Sequence, residues 1–194
     1  GTAPGMWFNH NGKVYVSMPG VPFEMMYLME EEVIPELKAT FKLPKIIHRT
    51  ILTVGEGESY LAERIADIED SLPAHIKLAY LPKLGSVRLR LSGHGDDEAV
   101  LSAEIDKYAA KIVERVVDFV AAQEDIPLEK AILNYMAQKD LTLSVAESCT
   151  GGYLSHLITQ HAGSSKVFLG GAVSYSNGLK ESVLDVKHDM LEQY

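Results

Sequence analysis

Residues 141–176 read LTLSV, AESCTGG, YLSHLITQHAG and, after two serines, KVFLGGAVSYS. The order is a short apolar run, a breaker of small and hydroxylated residues, a helical segment closed by Gly163, and a second apolar run with a Gly-Gly kink. Two short strands separated by one helix share a sheet most readily as parallel neighbours, because the crossover returns the chain in the same direction. Leu141–Val145 and Val167–Tyr175 are therefore expected to pair in parallel, with the helix at about Thr150–Ala162 between them. Pro127 opens a preceding helix, PLEKAILNYMAQK. Asn177-Gly178 reads as a turn, after which LKESVLDV starts another helix. Helix and strand alternate, so the last third is a parallel α/β unit.

The middle of the chain has a different grammar. IIHRTILTV (46–54) alternates as a strand, GEGE (55–58) is a turn, and SYLAERIADIEDSL (59–72) places Leu61, Ile65 and Ile68 on one helical face. HIKLAYL (75–81) and SVRLRLSG (86–93) follow as strands. In the second, Val87, Leu89 and Leu91 alternate with Arg88, Arg90 and Ser92, so one face is wet. A long helix over 96–122 completes a β-α-β-β-α unit, an α+β fold with two helices on one sheet face. Its expected core joins Ile51, Leu61, Ile65, Leu78, Leu89, Leu91, Ile105 and Val113. Ahead of it, GTAPG reads as a loop and KVYVSM (13–18) as a strand. Pro22 starts a helix that Pro35 ends or kinks.

Composition narrows the partners. Lys+Arg number 18 against 27 Asp+Glu, a formal net charge of −9. That surplus repels phosphate backbones, so no nucleic-acid partner is expected. The single cysteine, Cys149, excludes an internal disulfide and fits a reducing, cytoplasmic setting. No apolar run approaches the roughly 20 residues a membrane helix needs, so no membrane partner is expected either. The chain opens without Met and reads as a slice of a longer product.

The breaker AESCTGG reads as a site. It lies where a strand gives way to a helix, and α/β sheets bind ligands beyond the carboxyl ends of their strands. A helix start there offers N–H groups to an anion, and Gly151 and Gly152 allow close approach. If the two strands are neighbours, Tyr175, Asn177 and Lys180 share that edge with Ser148 and Thr150. A lysine of lowered pKa can take a serine proton, as in Ser-Lys pairs. The same residues have plainer readings: Ser148 and Thr150 as helix caps, Lys180 as a solvated surface lysine, Cys149 as a small buried hydrophobe. His156 and His161, five apart, do not share a helical face, so no zinc site is expected.

AESCTGG (146–152) followed by AGSSKVFLGGAVSYSNGLKESVLDV (162–186) resembles the CinA C-terminal domain, the nicotinamide mononucleotide deamidase family. GTAPGMWF and SMPGVPFEM resemble the end of the molybdopterin-binding-like domain of CinA proteins, and the middle unit sits where they carry a KH-type domain. The resemblance implies three segments: 1–40, the tail of the molybdopterin-binding-like domain; 41–122, a KH-type-like α+β domain; and 123–194, the first part of a parallel α/β deamidase domain. It implies hydrolysis of the nicotinamide mononucleotide carboxamide to nicotinic acid mononucleotide and ammonia. Ser148 is then the nucleophile, Lys180 its base and Tyr175 a supporting hydroxyl, with Thr150, Gly151, Gly152 and Asn177 binding substrate. No cofactor or metal is expected for that step. A divalent metal is expected only for the family's N-terminal domain, associated with ADP-ribose pyrophosphatase activity. The family's deamidase domain continues beyond the point where this chain stops, so the slice itself is expected to be inactive. A homodimer is expected, and the alternative reading is a non-catalytic linker and dimerisation module of a CinA-like pyrophosphatase. The KH-type unit carries the acidic GEGE in place of a basic GxxG loop, which argues further against nucleic acid.

Overall fold

A computed structural model describes residues 4–193. The chain divides into two compact units, 1–45 and 46–194.

In the first unit, β1 (Met6–His10) and β2 (Lys13–Ser17) form an antiparallel hairpin with His10 opposite Lys13. Asn11 and Gly12 make its two-residue turn with φ of 50° and 73°, the left-handed pair that matches strand twist. The sequence reading placed one strand here and missed β1. Asn-Gly between alternating residues was the available signal. Helix α1 (Pro22–Leu28) passes through a π turn at Met29–Val33 into α2 (Ile34–Thr40). The wide turn sits just before Pro35. Proline has no N–H for the carbonyl four residues back, and its ring crowds that carbonyl, so the helix bulges there and then resumes.

The second unit opens with β3 (Lys45–Val54), α3 (Glu58–Asp70), β4 (Ile76–Lys83), β5 (Ser86–Gly95) and α4 (Glu98–Arg115). A short β6 (Val120–Ala122) follows, and the sheet order is β4-β5-β3-β6. The β-α-β-β-α order agrees with the sequence reading, and its core sits between sheet and helices. Ile51, Leu61, Ile65, Leu89, Leu91 and Ile105 are buried together, with Leu78 and Val113 packed at the margin. Asp97 caps α4 by accepting from the amides of Ala99 and Val100. At Gly93 an added Cβ would lie 2.7 Å from Ile105 Cδ1 and 2.9 Å from Leu101 Cδ1, so the missing side chain is what lets α4 close on β5.

The expected long helix over 96–122 ends early. Beyond Arg115 the chain makes a 3-10 turn, Val117–Phe119, and then β6, which pairs antiparallel with β3 through Leu52↔Ala122 and Thr53↔Val120. Val116, Val117 and Val120 are β-branched and favour a strand once an open sheet edge is within reach.

After β6 the chain crosses the wet face of β5. Arg88 and Arg90 both reach Asp125, at 3.2 and 2.8 Å, and Arg88 also donates to the Ile126 carbonyl. Then come α5 (Leu128–Gln138), β7 (Leu143–Glu147), α6 (Tyr153–Thr159), β8 (Phe168–Val173), α7 (Asn177–Leu184) and α8 (His188–Gln193). β7 and β8 are parallel, as the spacing required. Leu133, Ile158 and Val167 form a small core, with Met136, Leu143 and Phe168 around it.

The Gly-Gly kink resolves as a bulge. Leu143 pairs with Phe168 but Ser144 pairs with Gly170, so Leu169 is the extra residue and Gly170 takes φ +154°. Asn177-Gly178 is no turn; it is the first step of α7, because Ser176 Oγ caps the helix by accepting from Leu179 N at 3.3 Å. The fold is thus an α+β KH-like unit followed by a parallel α/β segment.

Candidate functional site

The site is built where β7 stops. Its last residue, Glu147, is only 3% exposed although it is an acid. A buried carboxylate must be satisfied by donors, and α6 supplies them. Oε2 accepts from Gly152 N at 3.1 Å and Leu154 N at 2.9 Å; Oε1 accepts from Ser155 N at 2.8 Å and Ser155 Oγ at 2.6 Å. The Ser155 hydroxyl, then the Ser155 and Leu154 amides and the Thr150 hydroxyl, outweigh burial and pull the Glu147 carboxyl down to about 2.

The turn 148–152 is closed from within. Gly151 N donates to Ser148 O at 3.0 Å, and Tyr153 N to Thr150 O at 2.9 Å. Gly151 and Gly152 have φ of 59° and 97°. Their small size therefore serves a left-handed backbone. The expectation that the helix start at Thr150–Gly152 presents free N–H groups to an anion is corrected here. The amides of Gly151, Gly152, Tyr153, Leu154 and Ser155 are already engaged, those at 152, 154 and 155 by the chain's own carboxylate. The amides of Cys149 and Thr150 carry no hydrogen bond among the described residues.

The other half of the edge comes from β8. Glu147 lies opposite Val173, and the Ser174 amide continues the ladder by donating to Glu147 O at 2.8 Å. The Ser174 hydroxyl adds a bond to the same oxygen at 3.3 Å, and Ser174 is buried. Ser148 and the segment from Tyr175 to Lys180 thus leave one sheet edge from adjacent positions. Ser148 is half-buried, while Thr150 and Asn177 are exposed and Tyr175 is 72% exposed. Lys180 Nζ donates to Asn177 Oδ1 at 3.4 Å. Among the described residues, neither Ser148 Oγ nor the Tyr175 hydroxyl has a hydrogen-bond partner.

Two further expectations change. Cys149 is exposed, because it sits at the tip of the turn and not under the sheet. Helix α6 stops at Thr159, with Gly163 at φ +81° beyond it. Sequence reasoning also missed Glu147, Ser155, Ser174 and Gly171. An acid closing an apolar strand just before a helix start was the signal for the first. No helix is long and apolar enough to cross a membrane among the described residues.

In the KH-like unit, Gly55 of GEGE takes φ +89° and Gly57 caps α3. Glu56 and Glu58 line a surface cleft with Lys83 of the facing hairpin.

Comparison with known proteins assigns both parts of the second unit. Residues 48–120 match the damage-inducible protein CinA KH domain, and residues 125–194 match the CinA C-terminal domain. A CinA-like protein of Flavobacterium psychrophilum is 50% identical over all of this chain and 47% of its own length. One of Cytophaga hutchinsonii is 45% identical over all of this chain and 46% of its own. The chain therefore spans about half the length of the curated relatives it matches. The crystal structure of competence/damage inducible protein CihA from Agrobacterium tumefaciens is 36% identical over 34% of this chain and 40% of that one, with a TM-score of 0.34. The chain belongs to the CinA family, carrying its KH domain and, after it, residues of its C-terminal domain.

Proposed function

We propose that this chain carries the serine side of an amide-hydrolysing site, in a protein that converts nicotinamide mononucleotide to nicotinic acid mononucleotide and ammonia. The observation that carries the reading is the parallel register of Glu147 opposite Val173, from which Ser148 and the Tyr175–Lys180 segment leave the same edge.

In this reading Ser148 Oγ attacks the carboxamide carbon, and Lys180 in its neutral form takes the hydroxyl proton. Lys180 exchanges Asn177 Oδ1 for Ser148 Oγ to do so. The tetrahedral oxyanion meets the open amides of Cys149 and Thr150. When the C–N bond breaks, the proton on Lys180 passes to the nitrogen, which leaves as ammonia. Water then attacks the acyl-serine and releases the carboxylate, returning the proton to Ser148. The Tyr175 hydroxyl supports the proton transfers, and no metal enters.

The test is ammonia release from nicotinamide mononucleotide by the full-length protein and its Ser148→Ala variant. Wild-type turnover that the variant lacks supports the reading; equal turnover by both removes it. The exposed Tyr153 and Leu169 favour a second reading, a non-catalytic association module, which predicts a dimer of this chain in sedimentation and no turnover by the full-length protein.

A further inference from the structure

Glu147 is tied at both of its polar ends. Its carboxylate takes four donors from the start of α6, using both oxygens. Its carbonyl oxygen takes the amide and the hydroxyl of Ser174. The chain leaving Glu147 is Ser148, and the chain leaving Ser174 is Tyr175, so one residue governs the departure of both segments. A helix cap needs a single oxygen on one or two amides. Here both oxygens are used, and the backbone of the same residue joins the neighbouring strand.

We infer that Glu147 is the positioning residue of the site: its carboxylate seats the Ser148–Gly152 turn on α6, and its carbonyl sets that turn against the segment bearing Tyr175, Asn177 and Lys180. The catalytic side of this role rests on the amide-hydrolysis reading. The charge matters because every partner of the two oxygens is a donor. Glutamine would keep one acceptor and turn an NH₂ toward N–H groups, so the turn must open. The Glu147 carboxyl, drawn down to about 2 by those donors, is ionised at neutral pH.

The test has two arms. In the full-length protein, ammonia release from nicotinamide mononucleotide is followed for wild type, Glu147→Gln, Ser155→Ala and Thr159→Ala. Glu147→Gln lowers kcat on the order of 10²-fold, as a displacement of about 1 Å would. Its KM stays within about threefold, because the interaction lost is one of positioning. Ser155→Ala shifts kcat the same way by less. Thr159→Ala, whose hydroxyl meets only the carbonyls of Ser155 and His156, keeps the wild-type value.

The second arm needs no turnover. Hydrogen exchange at the Gly152, Leu154 and Ser155 amides, which the Glu147 carboxylate holds, speeds up by about tenfold or more in Glu147→Gln as the turn opens locally. If Glu147→Gln does not fold, Ser155→Ala carries both readouts. Wild-type kcat together with wild-type exchange at those amides overturns the proposal. So does a kcat loss that merely follows the unfolding temperature across the three variants. A wild-type protein that releases no ammonia removes the amide-hydrolysis reading alone, and the hydrogen-exchange arm then decides whether Glu147 pins the turn.

Discussion

The hydroxyl of Ser155 occupies the place where a side chain at residue 171 would begin: a Cβ added to Gly171 would collide with Ser155 Oγ and lie 3.0 Å from Val145 Cγ2. Ser155 Oγ is also a donor to Glu147, so the glycine on β8 and the acid on β7 are coupled through one hydroxyl of α6. Gly171→Ala should therefore lower the stability of this chain by about 1–3 kcal/mol, the usual cost of overpacking. Ser155→Ala alone should also destabilise the chain, through the lost bond to the Glu147 carboxylate. The double variant should be less destabilised than the sum, because the second change removes the atom the first one strikes. Urea unfolding of the four proteins measures this, and strict additivity would show that the two residues do not communicate.

Acid should expose the Glu147 cap. Its folded carboxyl sits at about 2 against an ordinary 4.5. A depressed folded value means stability that is present above the ordinary value and is lost as pH falls through the interval down to about 2. Thermal unfolding of wild type and Glu147→Gln between about pH 6 and pH 2 should converge as the pH drops. Asp67 and Asp106, lowered mainly by hydrogen bonds from Arg115 and Arg49, add acid sensitivity to both proteins equally. The difference between the two curves therefore isolates Glu147. A constant gap at every pH would contradict the cap.

The connection between β6 and α5 depends on Asp125. Arg88, 12% exposed at its side chain, and Arg90 share this one carboxylate. Asp125→Ala should leave Arg88 with only the Ile126 carbonyl and cost about 1 kcal/mol, since the acid itself is half in solvent. For a chain of this size that is a drop in unfolding temperature of about 2–4 °C. Repeating the melt at about 1 M salt, where the Debye length is about 3 Å, should shrink the gap. A gap unchanged by salt would mean that the pair acts through packing.

On the amide-hydrolysis proposal, Ser148→Ala in the full-length protein should abolish ammonia release, since Ser148 Oγ is the oxygen that carries the acyl group there. Lys180→Ala should cost nearly as much, because a nucleophile and its base fail together. Cys149→Ala should keep most of the activity, for the thiol faces solvent at the tip of the turn. A dead Cys149→Ala beside an active Ser148→Ala would replace the serine nucleophile by the thiol.

The one-dimensional signals settled what local chemistry controls. Period-two alternation over 86–93 determined which face of β5 is buried, and the strand–breaker–helix–strand order of 141–176 determined a parallel pair. Pro35 marked a distortion, and the combined string AESCTGG with YSNGLK marked the family. Tertiary structure decided the rest, because those outcomes depend on what lies across space. Residues 116–122 continue a helical pattern, yet an open edge on β3 turns their end into a strand. Ser176 outcompetes the turn preference of Asn177-Gly178 by capping a helix. The start of α6 looked open to a ligand's charge, but Glu147, five residues upstream of Gly152, had already filled it. A sequence shows that donors and an acid are near one another. Only the fold shows that they meet, since a buried carboxylate takes whichever donors its strand and the following turn bring within reach.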